Sequence, residues 1–166
     1  MAVTARPRRA VARPGDGLLQ PFFLLALGML IVNDQVLKAA WPGVVTGKLS
    51  DIAGLVIAPL ALQATWEIGE WVADRWHGPT TSVLAVAIAL VGLGFAAVQV
   101  WEPATDAYGW MFGAAQWPWR ALVAVLTGAP APSVVPVAAT ADAEDLLALP
   151  TLAITWWVGR RRLTAA

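Results

Sequence analysis

The chain has 166 residues, no cysteine and one histidine, and is 58% apolar but only 13% charged. A soluble domain holds about 45–50% apolar and about 25% charged residues, and a core of this size cannot hide the surplus, so lipid is the expected solvent. Without cysteine there are no disulfides, thiolate metal sites or Cys nucleophiles, and any Ser–His–Asp triad would need His77. Eleven basic residues balance eleven acidic ones, so net charge points to no polyanion. No cofactor, metal site or nucleic-acid partner is expected.

Residues 1–17 hold Arg6, Arg8, Arg9 and Arg13 with Pro7 and Pro14, and read as a disordered cytoplasmic tail. A first span is expected over about 21–40, with Pro21 in its first turn and a length of about 30 Å. The following NDQVLKAAW lacks a small-residue cleavage site, so this span reads as an uncleaved anchor rather than a signal peptide. A second span is expected over about 52–71, kinked at Pro59. Glu67, Glu70 and Asp74 share a face at its end and read as a solvated helix terminus, with Trp66, Trp71 and Trp76 as interfacial anchors.

A third span over about 82–101 has no charge. Ala85 and Ala89, and Gly92 and Ala96, are small residues four apart, which predicts a close-packing face. Residues 109–126 are amphipathic, with Trp110, Trp117, Trp119 and Arg120, and read as an interfacial or re-entrant helix broken near Pro118. GAPAPSVVPVA is a proline-rich connector. A short fourth span is expected over about 142–158, and residues 161–166 form a cytoplasmic tail. The expected fold is all-α, with 18–160 a four-span transmembrane domain plus one interfacial helix. Counting Lys and Arg alone, eight fall on the side of the termini, against Lys38, Lys48 and Arg120 on the other, so both termini are expected in the cytoplasm.

Ionisable and hydroxyl residues gather at the other end. Asp34 and Lys38 stand one helical turn apart and read as an interfacial ion pair or as part of an ion path. Thr46, Lys48, Ser50 and Asp51 open the second span; Thr140, Asp142 and Asp145 open the fourth. The two segments match at an offset of 94 residues, through Thr46 and Thr140, Asp51 and Asp145, and Leu55 and Leu149, which raises a parallel two-span repeat. Both are expected on the extracytoplasmic side, Ser50 and Asp142 at the tops of their helices. Hydroxyls and carboxylates there cap helix N-termini; the alternative is an acidic patch for a divalent cation or a lipid-like head group.

The stretches Asn33-Asp-x-x-Leu-Lys38, Thr46-Gly-Lys-Leu-Ser-Asp-x-x-Gly54 and Asp142-x-x-Asp-Leu-x-Ala-Leu-Pro150 resemble signature stretches of a group of small uncharacterised bacterial four-helix integral membrane proteins. The resemblance implies a bacterial inner-membrane protein and carries over no catalytic residue. Gly47-x-x-x-Asp51-x-x-Gly54 also resembles the loop motif of major facilitator transporters, but Ile52 and Leu55 replace its basic residues, so that assignment is rejected. The leading functional reading is an accessory or assembly subunit whose partner is another membrane protein or a second copy. The alternatives are a small transporter or channel subunit with a polar path at Asp34, Lys38, Lys48 and Asp51, and a metal-dependent membrane enzyme using Asp51, Asp142 and Asp145 on a lipid-linked substrate.

Overall fold

A computed structural model describes residues 12–165, with side chains as far as 161. Its regular structure is helical, with no strand among the described residues: α1 (Pro21–Ala40), α2 (Val44–Val72), α3 (Thr81–Val100), α4 (Glu102–Thr127) and α5 (Thr151–Ala165), plus 3-10 segments at Asp16–Leu19 and Ala143–Ala148. Helices α1, α2 and α3 are long and apolar enough to cross a membrane. The fourth span expected over 142–158 takes another form. A 3-10 segment comes first, and α5 starts only after Pro150, which cannot donate to a continuing helix. At fifteen residues α5 is about 22 Å long. It also continues to Ala165, where a tail was expected from 161.

The chain divides into two compact units, one holding the residues up to Gly92 together with those from Leu147 on, the other Leu93–Leu146. In the first, Phe23 and Ala26 of α1 meet Val56 and Leu60 of α2 and Leu84 of α3, with Trp156 of α5 partly buried against them. The buried residues of α2 include Thr46, Ala53, Val56, Leu60, Gln63 and Glu67, steps of three, four and seven that keep one helical face inward. This helix begins eight residues before the expected start at 52, because Gly43 and Thr46 close its first turn. The Gly43 N–H donates to Thr46 Oγ1 (3.2 Å), and the Thr46 hydroxyl returns a bond to the Gly43 carbonyl (2.9 Å).

Pro59 lies inside α2 without ending it. Proline removes the N–H that would bond the carbonyl four residues back, here that of Leu55. The Thr155 hydroxyl of α5 supplies a replacement donor, 3.2 Å from the Leu55 oxygen, and Thr155 is fully buried.

Helix α5 runs antiparallel to α3. A Cβ at Gly92 would stand 2.7 Å from Leu152 Cδ1, and one at Gly159 would stand 2.7 Å from Leu84 Cδ2, so each glycine receives a leucine of the facing helix. The close-packing face expected from Ala85, Ala89, Gly92 and Ala96 is corrected accordingly. Gly92 belongs to it, but Ala85 and Ala89 are exposed, and Leu84 and Ala87 are the residues turned inward. Adjacent residues differ by about 100° around a helix, enough to move a whole stripe off the contact.

The tail expected over 1–17 lies outside the described residues as far as position 11. Beyond it, the Arg13 N–H donates to Asp16 Oδ2 (3.0 Å), and Gly15, at φ 77, donates its N–H to Glu67 Oε2 (3.0 Å). A side chain at Gly15 would meet both the left-handed backbone and Ile68 Cδ1 at 3.1 Å.

In the second unit α4 runs unbroken from Glu102 to Thr127, longer than the 109–126 expected, and passes through Pro118. Pro103 sits in its first turn, where a missing N–H costs nothing. The connector after Gly128 has no regular structure and lies along α4, held by Val137 N–H to Gly109 O (2.9 Å) and Trp117 Nε1 to Pro132 O (2.8 Å). Gly109 and Gly113 open the groove for it: a Cβ at Gly109 would stand 2.6 Å from the Val137 oxygen, and one at Gly113 would overlap the Val135 carbonyl. Pro130, Pro132 and Pro136 remove three N–H groups that an extended segment would otherwise leave to be satisfied.

Candidate functional site

The ionisable residues of α1 sit where the helix widens. Asn33–Leu37 forms one π-helical turn, a local expansion often found at functional positions. Asn33 is fully buried there, and its amide Nδ2 donates to the Thr46 carbonyl (2.6 Å) and to Ser50 Oγ (2.8 Å) of α2. The Ser50 hydroxyl donates to Asp34 Oδ1 (2.7 Å), and Lys38 Nζ stands 2.8 Å from the same oxygen. The result is a chain of polar contacts running from a half-exposed ion pair to a buried amide. Asn33 Oδ1, also buried, has no hydrogen-bond partner among the described residues.

Four expected residues, Asp34, Lys38, Thr46 and Ser50, therefore meet across the α1–α2 turn, joined by the neighbouring Asn33. Lys48 and Asp51 lie half-buried on the first turns of α2, three residues apart. Ser50 and Asp51 do not cap a helix start, since α2 begins at Val44; Ser50 instead bridges Asn33 and Asp34.

Thr140, Asp142 and Asp145 belong to the second unit. Asp142 Oδ1 accepts the Glu144 N–H (2.9 Å), a cap on the 3-10 segment, as hydroxyl and carboxylate chemistry at a helix start predicts. Gln99 holds this turn with both ends of its amide: Nε2 donates to Asp145 Oδ2 (3.2 Å), and Oε1 accepts the Asp142 N–H (3.3 Å). Thr140 is exposed. The proposed repeat is not reflected in local structure, because Thr46–Leu55 is α-helical while residues 140–149 are irregular and 3-10. Among the described residues no group of three or more His, Asp or Glu side chains is placed to hold a metal ion.

A second polar cluster lies at the other end of α2. Glu67, read as part of a solvated face, is 2% exposed; it accepts the Gln63 amide (Nε2 to Oε1, 2.9 Å) as well as the Gly15 N–H. The i,i+4 spacing of Gln63 and Glu67 was a usable signal, but burial depended on the N-terminal segment folding back over them.

Comparison with protein-family models, curated proteins and solved structures found no match.

Proposed function

We propose that the chain is an integral protein of a bacterial inner membrane that acts as an accessory or assembly subunit. The observation that carries this reading is an apolar layer between the two polar clusters of the first unit. Ser50 and Gln63 are about 20 Å apart along α2. Between them the buried residues of that helix are Ala53, Leu55, Val56, Pro59 and Leu60, of which Val56 and Leu60 share a core with Phe23 and Ala26. Thr155 stands at this level, but its hydroxyl is shared between the Leu55 and Thr151 carbonyls. A polar path from Asp34 and Lys38 thus meets an apolar barrier, which disfavours the transporter alternative.

Four crossings with both termini cytoplasmic remain the topology we favour. The 3-10 segment adds about 12 Å to the roughly 22 Å of α5, enough in combined length for a fourth crossing. The antiparallel packing of α5 on α3 carries Arg160 and Arg161 to the end of the bundle where Gly15 meets Glu67 and where Arg75 lies. Arg161 stacks 3.4 Å from the Trp157 ring centroid and Arg160 5.5 Å from that of Trp156, pairs suited to a membrane–water boundary.

The test is reconstitution into liposomes with proton- and potential-sensitive dyes. The accessory reading expects no flux above empty vesicles. A flux abolished by Asp34→Asn would overturn it in favour of the transporter. Photo-crosslinking in the native membrane from position 89, on the exposed face of α3, should give a discrete adduct.

A further inference from the structure

Helices α2 and α3 leave a groove of about 650 Å³ between them, within the size range of small-molecule sites. Its walls are mainly apolar, with Leu62, Trp66, Val86 and Leu90 among them, and Trp66, Val86 and Leu90 are each more than half exposed, so the groove opens sideways. Glu70 and Arg75 line it at one end. Neither is in an ion pair among the described residues.

Backbone geometry sets these two charges in place. Asp74 adopts the left-handed conformation (φ 54) and donates its N–H to the Trp71 carbonyl (3.0 Å), while Arg75 donates its N–H to the Glu70 carbonyl (2.8 Å). That pair of bonds is a Schellman motif, which folds Arg75 back beside the turn carrying Glu70. From Glu70 to Leu62 the groove descends about 12 Å, comparable with the roughly 15 Å of one hydrocarbon leaflet. One end therefore offers a cation and an anion, and the rest offers a slot of acyl-chain character.

We propose that this groove binds one phospholipid whose head group carries both a phosphate and a primary ammonium, as in phosphatidylethanolamine. The inference rests on the membrane reading above. Arg75 takes the phosphate, Glu70 takes the ammonium, and one acyl chain lies along Leu62, Val86 and Leu90. An arginine alone would accept any phospholipid, but Glu70 beside it repels a head group that has only negative charge.

Native mass spectrometry of the detergent-solubilised protein, titrated with phosphatidylethanolamine or phosphatidylglycerol, tests this. One phosphatidylethanolamine should be retained, about tenfold more tightly than phosphatidylglycerol. Arg75→Gln should lose both lipids, Glu70→Gln should equalise them, and Val86→Trp, which fills the groove from an exposed position, should lower retention without loss of helix content. Equal retention of both lipids by the unmodified protein, or retention indifferent to all three substitutions, overturns the proposal. Extraction of native membranes at alkaline pH separates the two levels. Release of the protein would defeat the membrane reading itself, whereas protein that stays in the bilayer but retains no lipid defeats the groove alone.

Discussion

Two polar contacts of the first unit can be separated from their surroundings by substitution. Thr155 answers the carbonyl that Pro59 leaves free at Leu55. Thr155→Val keeps the shape and removes the donor, so unfolding in detergent should show a loss of about 1–3 kcal/mol. Pro59→Ala restores a backbone N–H for Leu55, so in that background the same threonine substitution should cost much less. Equal costs in the two backgrounds would show that the hydroxyl does not serve the proline. Asp34 and Lys38 form the other pair, 2.8 Å apart and roughly 40% exposed. Partial exposure keeps their coupling small, about 0.5–1 kcal/mol. Asp34→Asn retains an acceptor for Ser50, so a stability cycle with Lys38→Met isolates the ion pair, and the double variant should lose less than the sum of the singles.

At the level of whole helices, contact depends on glycines that admit leucines. Gly92→Leu would force a side chain into Leu152, an overpacking worth about 1–3 kcal/mol, while Leu90→Ala removes a side chain that is 58% exposed. The melting temperature in detergent should fall clearly for the first and little for the second. An unchanged midpoint for Gly92→Leu would mean that α3 and α5 do not approach there. Gly109 and Gly113 do the same work for an extended segment, which needs the groove along α4 because it has no helical neighbour to interlock with. Their four-residue spacing was visible in the chain, but small-residue spacing does not say whether a helix or an extended strand of chain will fill the gap.

For the molecule as a whole, the four crossings proposed above would decide which surfaces meet the cytoplasm. The chain has no cysteine, so single replacements are clean probes. Cysteine at position 142 should react with a membrane-impermeant thiol reagent in intact cells, and cysteine at position 77, in the loop between α2 and α3, should react only after the membrane is opened. The opposite pattern would invert the topology. Reaction at both positions in intact cells would mean that an even number of crossings separates them, and the four-crossing arrangement would fall.

Composition and periodicity alone determined that this chain is helical and strongly apolar, and they located α1 and α3 to within a residue, but they called for four spans where three helices are long and apolar enough to cross a membrane. The Asp34–Lys38 pair and the Asp142 cap were equally legible, because partners within four residues are set by the helical repeat or by a single turn. Tertiary structure decided the rest. Nothing local brings Thr155 to Leu55 across 100 residues, folds Gly15 over Glu67, or sets Asn33 against Thr46 and Ser50. The same holds for the face of α3 that turns inward, where Leu84 and Ala87 displace Ala85 and Ala89. In a span apolar on every side, hydropathy distinguishes no face, and only the shape of the neighbouring helix selects one.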